Sequence, residues 1–238
     1  MSRSFRHSSL SRCGSLAVLL GVLSGGVARA DEPDTEGWKV VFSDRFEGDR
    51  LGDRWKATHG DWSIENGALK GLLRKKDLPN YDYHDADITL GGLKLASSVE
   101  VRYETWSPDE VGSEVKLLTE ANDAGIIMAV LGVDHPAFQA KGAMAFFFKD
   151  MSYELVGRAA TAVLTPREKH KVRLVRKDDQ VSLFLDGKQV LSTDLARAKE
   201  LGELGLHLVG TWGKAGSAVY FDNLEIRVPA AEIKNEPR

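Results

Sequence analysis

Apolar and polar residues alternate with a period of two along most of the chain beyond residue 36, and glycines interrupt the alternation at short intervals. That is the pattern of antiparallel strands half-buried against a core. The stretch 98–106, SVEVRYETW, is the clearest. Val99, Val101, Tyr103 and Thr105 fall on one side of such a strand and Glu100, Arg102, Glu104 and Trp106 on the other, since successive side chains point to opposite faces. The same reading places strands over 38–42, 61–65, 68–73, 86–90, 115–119, 125–131, 143–149, 152–156, 171–176, 181–186, 189–193, 204–209 and 218–228. So many strands do not lie comfortably in one flat sheet, and two packed sheets are predicted.

The connections carry turn chemistry. Asn66-Gly67 joins WSIE to ALKG, and Asp186-Gly187 joins VSLFL to KQVLS; both pairs suit the positive φ angles of a two-residue hairpin. Asp194 is placed to cap a short helix over LARAKEL, with Leu195, Ala198 and Leu201 on one face and Gly202 ending it. Phe42, Phe46, Leu51, Trp55 and Trp62 are spaced to bury apolar area under the first hairpin, each contributing on the order of 2 kcal/mol or more.

Residues 1–30 change the picture at one end. Arg3, Arg6 and Arg12 precede an apolar run from Leu16 to Leu23, and Ala28-Arg29-Ala30 closes it, the build of a secretory signal peptide. The run is shorter than the roughly 20 residues a membrane span requires. The expected domain is a single one over residues 31–228, exported to the periplasm or beyond the cell, followed by a disordered tail at 229–238. The one cysteine, Cys13, belongs to the leader, so the expected mature chain has neither disulfide nor thiol nucleophile. Taking the leader's four arginines from 32 basic residues leaves 28 against 35 acidic ones, a net charge of −7. That balance argues against nucleic acid as a partner.

The densest polar stretch is NYDYHDADI, residues 80–88. On a strand, His84 shares a side with Ala86, Ile88 and Leu90 while Asp85 and Asp87 share the other, so the stretch cannot present its histidine and these two aspartates together. His207 alternates out of the apolar face set by Leu204, Leu206 and Leu208, and Trp212 follows between glycines. His59 and His135 read as loop residues. No serine-histidine-aspartate triad, phosphate loop or dinucleotide fingerprint is present, and no organic cofactor is implied.

The opening VFSDRFEGDRLGDRWKATHGDWSIENGALKG, the middle HKVRLVRKDDQVSLFLDGKQVL and the closing GSAVYFDNLEI resemble the concanavalin A-like jelly-roll domains of secreted bacterial proteins. Within them the chain resembles the 3-keto-disaccharide hydrolase domain family and laminin-G-like relatives. The resemblance covers the first and last thirds of the mature chain and is poor over 107–165. It implies an all-β, concanavalin A-like jelly-roll sandwich of two antiparallel sheets with sugar bound on a concave face. It also implies calcium held by a carboxylate of the terminal strand, with Asp222 and Asp44 as ligands. The expected carbohydrate or glycoside contacts are Tyr83, His84, Arg102, Glu104, Trp106, His207 and Trp212. Two alternatives stay open: a metal-assisted hydrolase or lyase of 3-keto-glycosides, and an adhesive module without a small ligand. Family 16 glycosidases of this fold carry E-x-D-x-x-E on one strand. Here Glu100 and Glu104 flank an arginine and lie roughly 13 Å apart along a strand, too far for a retaining pair.

Overall fold

The computed structural model describes residues 35–78, 81–95, 97–135, 140–150 and 152–232. The leader at 1–30 and the end of the tail at 233–238 lie outside the described residues. Among the described residues there are sixteen strands: β1 (Lys39–Asp44), β2 (Trp55–His59), β3 (Asp61–Glu65), β4 (Ala68–Leu72), β5 (Arg74–Leu78), β6 (Tyr81–Leu95), β7 (Val99–Trp106) and β8 (Gly112–Thr119) in the first half. The second half holds β9 (Ala124–His135), β10 (Ala140–Lys149), β11 (Ser152–Ala159), β12 (His170–Lys177), β13 (Gln180–Leu185), β14 (Lys188–Asp194), β15 (Leu204–Thr211) and β16 (Ala218–Val228).

These strands form two sheets, as the alternation predicts. Sheet 1 runs β14-β13-β12-β7-β16-β4-β3, with β1 also on β16; sheet 2 runs β11-β10-β9-β8-β15-β6-β2, with β5 also on β6. Neighbours such as β7 and β16, or β8 and β15, are far apart in sequence and antiparallel. The inner faces meet in one core. Sheet 2 contributes Ile88, Val115, Leu117, Met128, Leu206 and Leu208, and sheet 1 contributes Leu69, Val101, Leu174, Phe221 and Ile226. At one flank Thr193 donates its hydroxyl proton to the carbonyl of Val156 at 3.0 Å, tying β14 to β11.

Both hairpins form with the expected backbone: Asn66 and Gly67 have φ of 53° and 73°, Asp186 and Gly187 52° and 78°. Trp55 is buried against Phe42 and Phe46, with ring centroids 6.1 and 5.8 Å away. Two expectations are corrected. Asp194 does not cap a helix: it pairs with Gln180 as the last residue of β14, and the helical piece is a 3-10 helix over Ala196–Glu200 with no side-chain cap. His59 and His135 are strand residues, at the ends of β2 and β9. Strands β2 and β5 escape the sequence reading because Lys56, Arg74, Lys75 and Lys76 break the apolar alternation on these outlying strands. The tail begins with a 3-10 turn at Ala230–Glu232.

Candidate functional site: a polar trough on sheet 2

Alternation along β6, β8 and β15 sends one set of side chains into the core and leaves the other on the outer face of sheet 2. On β8, Val115 and Leu117 point inward, so Glu114, Lys116 and Leu118 point outward. On β15 the outward residues are His207, Val209 and Thr211, and on β6 they are Tyr83, Asp85, Asp87 and Thr89. The register sets Val209 opposite Asp87 on one side and Glu114 on the other, and His207 between Thr89 and Lys116. Four charged side chains and an imidazole are thereby gathered on three adjacent strands.

Their bonding is specific. His207 Nδ1 lies 2.9 Å from Asp87 Oδ1 and 3.1 Å from Thr89 Oγ1. Asp87 Oδ2 accepts from Lys116 Nζ at 3.3 Å, and the same ammonium lies 3.9 Å from Glu114 Oε2. Asp85, fully buried, accepts from Lys76 Nζ at 3.1 Å and stands 3.3 Å from His59 Nε2. The Tyr83 hydroxyl meets that of Thr211 at 2.9 Å.

The two neighbouring carboxylates are driven apart in acidity. Burial pushes Glu114 up to about 7, with Asp85 and Asp87 adding repulsion and Lys116 opposing it. Burial acts on Asp87 in the same sense, but the hydrogen bond from His207 and the charge of Lys116 outweigh it and hold this carboxyl well below the ordinary range. An ionised Asp87 only accepts, so His207 carries its proton on Nδ1. Lys116 is also desolvated, yet Glu114 and Asp87 keep it charged beyond the usual lysine range. The Glu114 carboxyl itself makes no hydrogen bond among the described residues, although its side chain is only 9% exposed.

Beside this polar half lies an apolar one. Ile127, Ala129 and Leu131 of β9 and Met144, Phe146 and Phe148 of β10 form a cluster separate from the main core, joined by Leu118, Leu155 and Trp212. The Tyr153 ring of β11 packs 4.9 Å from Phe148 and is 56% exposed. Four strands separate β11 from β6, which in a flat sheet would put them roughly 24 Å apart. The Tyr153 phenol nevertheless bears on that of Tyr83 and is itself influenced by Lys116, Glu114, Asp85 and Asp87. Met144 and Leu131 of the outer face are as buried as core residues. The sheet curls toward its outer face, forming a trough with a charged floor on one side and aromatic rings on the other. His207, Thr89, Leu118 and Gly205 line an opening of about 250 Å³ on this face.

The structure divides the seven expected contacts. Tyr83, His207 and Trp212 lie along the trough, His207 beside Thr89 and Trp212 standing between Tyr83 and His135 with ring centroids 4.3 and 4.4 Å away. Its ring is thus packed on both neighbours instead of displayed in a loop. His84 has the parity of Ala86 and Ile88 and lies on the other side of β6 from Asp85 and Asp87, 3.9 Å from Asp82. It meets neither Glu104 nor His207. Arg102, Glu104 and Trp106 belong to β7 in sheet 1 and take no part in the trough.

Trp106 is further committed. Across β7 and β16 it stacks on Tyr220 at 5.2 Å with planes 5° apart, and Lys169 lies 4.3 Å from its ring centre on the β12 side. Lys70 stands 5.8 Å from the Tyr220 ring, completing a cation–aromatic–aromatic–cation ladder that leaves neither face of the indole for a pyranose. Asp44 accepts from Phe46 N at 2.8 Å and from Trp55 Nε1 at 2.9 Å. Asp222 accepts from Asn223 N at 2.7 Å and Lys169 Nζ at 3.1 Å. Both carboxylates are thus engaged by protein donors. Among the described residues no three histidine, cysteine, aspartate or glutamate side chains converge as a metal-binding group.

Sequence reading missed Glu114, Lys116 and Tyr153 and passed over Asp87. A signal existed: GSEVKLLT alternates charged residues with Val115 and Leu117, as DAD does around Ala86. What could not be seen was that β15, some 90 residues further along, brings the two together.

No family model and no curated protein matches the sequence. Among solved structures, the carbohydrate recognition domain of Emp46p is 11% identical, with 79% of this chain and 97% of that one covered at a TM-score of 0.58. The endo-beta-1,3-glucanase from Pyrococcus furiosus is 13% identical, with 80% and 94% covered at 0.57. A carbohydrate-binding module from Bacillus subtilis is 13% identical, with 74% and 96% covered at 0.55. Likeness at such identities establishes the fold: this chain is a concanavalin A-like jelly roll. No helix among the described residues is long and apolar enough to cross a membrane.

Proposed function

We propose that the trough of sheet 2 binds carbohydrate. The observation that carries this reading is the Glu114 carboxyl, deep in the trough and without a hydrogen-bond partner, facing a wall of aromatic rings. The ammonium of Lys116, 3.9 Å away, leaves acceptor capacity on this carboxyl unused, and a sugar hydroxyl can donate to it. The exposed Tyr153 ring, packed on the buried Phe148, offers the apolar surface on which the C–H face of a pyranose packs. Lys116, Asp87 and His207 hold one another in place and so preorganise the floor. The printed names of the structural neighbours, a carbohydrate recognition domain, a carbohydrate-binding module and a glucanase, favour the same ligand class. Titration calorimetry against a panel of neutral oligosaccharides tests it. A ligand that binds the native protein and weakens at least tenfold with Tyr153→Ala or Glu114→Gln supports it; binding unaffected by both variants removes the trough as the site.

One observation favours a catalytic version. Glu114 titrates near neutrality beside an Asp87 held ionised, and both lie within 4 Å of one ammonium. Two carboxyls with separated acidities are the requirement for general acid and base roles at a glycosidic bond. In this version Glu114 protonates the leaving oxygen and Asp87 stabilises charge or activates water. This proton-transfer route is favoured over the metal-assisted attack on a 3-keto-glycoside, because no ligand set for a metal converges among the described residues. Release of reducing ends from the bound oligosaccharide, falling above pH 7 and abolished by Glu114→Gln, distinguishes an enzyme from a binding module.

Export belongs to the same proposal. The leader at 1–30 directs the chain out of the cytoplasm, and an N-terminus at Asp31 on protein recovered outside it is the expected result.

A further inference from the structure

The imidazole of His207 is 6% exposed and lines the opening of about 250 Å³ on the outer face of sheet 2. Its Nδ1 edge is taken up by Asp87 Oδ1 at 2.9 Å and Thr89 Oγ1 at 3.1 Å. Nε2, at the far end of the ring, has no hydrogen-bond partner among the described residues. We propose that His207 Nε2 is the base that activates water at a glycosidic bond, with Asp87 as its positioning residue, so that cleavage inverts the anomeric carbon. The proposal rests on the catalytic version of the trough.

Asp87 acts on water through the ring because it is badly placed to take a proton itself. Oδ1 is bound by His207 and Oδ2 by Lys116 Nζ at 3.3 Å. Against the effect of burial, the hydrogen bond from His207 and the charge of Lys116 hold this carboxyl well below the ordinary range, which makes it a weak proton acceptor. The same two bonds remove it as the nucleophile of a retaining mechanism, which needs a free carboxylate oxygen at the sugar. Asp85 is no substitute: it is fully buried, with Lys76 on one oxygen and His59 near the other. What Asp87 does is accept from Nδ1–H. That bond fixes the tautomer whose Nε2 lone pair is open, and it stabilises the imidazolium formed when the lone pair takes a proton.

The acid stands at a fitting remove. His207 is opposite Lys116 and Val209 is opposite Glu114, so His207 and Glu114 are diagonal neighbours whose side chains leave the sheet roughly 7 Å apart. An inverting pair works across about 6.5–9.5 Å, which leaves room for a water between base and sugar. Lys116 is shared by Asp87 and Glu114, at 3.3 and 3.9 Å. In the step, the water oxygen bonds to the anomeric carbon as the glycosidic C–O bond breaks. The water's proton goes to Nε2, and the Glu114 proton goes to the leaving oxygen. Loss of a proton from the imidazolium to solvent and uptake of one by Glu114 restore the resting state, with no other reactant consumed.

The test incubates the native protein with the panel of neutral oligosaccharides and reads the anomer first released by proton NMR, before mutarotation. Inversion is expected; retention overturns the proposal, because it requires a carboxylate nucleophile. On the oligosaccharide that is cleaved, His207→Ala should lower kcat at least about 100-fold with KM within about threefold. Added imidazole should restore part of that rate, which a purely structural histidine would not show. Asp87→Asn should also lower kcat with little change in KM, and imidazole should not restore it, since the ring is still in place. The anomer measurement needs no variant and keeps the test valid should either substitution fail to fold. A His207→Ala protein that keeps its kcat while Glu114→Gln abolishes it overturns the base and leaves the catalytic version of the trough standing. Absence of cleavage by the native protein overturns the proposal as well, and an oligosaccharide bound without cleavage leaves the trough a binding module.

Discussion

His207 reaches diagonally across two strands to Asp87: each stands opposite another residue in the ladder, yet Nδ1 and Oδ1 are 2.9 Å apart. This bond joins β15 to β6 at the floor of the trough and, with Lys116 on β8, ties three strands through side chains in addition to their backbone ladders.

Removing the carboxylate should therefore unlock them. Asp87→Asn leaves Lys116 without its hydrogen-bonded anion, and at pH 7 a loss of about 3 kcal/mol is expected, since one member of a buried ion pair is left behind. The acid limb changes as well. A folded-state acidity below the ordinary range stabilises the protein above about pH 4, and that contribution disappears as pH falls further. Urea midpoints between pH 2 and 7 check this; an unchanged midpoint at pH 7 would falsify the account of the pair.

Glu114 should show the opposite dependence. Its folded-state value of about 7 lies above the ordinary carboxyl value of 4.5, so burial is harmless while the group is protonated and costs stability progressively from about pH 4.5 to about 7. Glu114→Gln is expected to flatten that decline and to stabilise the protein at pH 8 by roughly 3 kcal/mol. Thermal unfolding of both proteins across this range measures it, and parallel pH curves would refute it.

Gly210 faces the core against Val219 of sheet 1. A Cβ there would lie 2.2 Å from Val219 Cγ1 and 3.1 Å from Leu73 Cδ1. Gly210→Ala should cost about 1–3 kcal/mol through overpacking. Val219→Ala in the same molecule should recover part of the loss, and a double-mutant cycle without coupling would show that the contact is not the cause.

The cross-strand ladder predicts that Trp106 is structural. Lys169→Ala should lower stability by about 1 kcal/mol by removing the cation over the indole, and it should leave oligosaccharide affinity at the trough within twofold. A larger loss of affinity would return Trp106 to the list of sugar contacts.

Much of the architecture was legible in the sequence because burial on one face imposes a period of two. The inward positions of Val99, Val101 and Tyr103 and the turns at Asn66 and Asp186 follow from local rules. The separation of His84 from Asp85 and Asp87 was likewise readable from parity. The site was less accessible. Asp87, His207 and Glu114 come from β6, β15 and β8, and nothing local indicates that β15 inserts between the other two. Trp106 misled for a related reason: an outward aromatic reads as available until its lateral neighbours, Lys169 and Tyr220, are known. The charged outlying strands β2 and β5 were missed because pairing, not apolar patterning, holds them.

Trp212 has a left-handed backbone, φ 58°, which a bulky residue adopts only when its surroundings hold it there. Its indole is clasped between Tyr83 and His135, at the border of the polar floor and the apolar wall. Any occupant of the trough that shifts Tyr83 must therefore alter the electronic surroundings of one well-fixed chromophore among the chain's five tryptophans. The molecule carries its own optical gauge, able to report filling of the trough by emission without an added label.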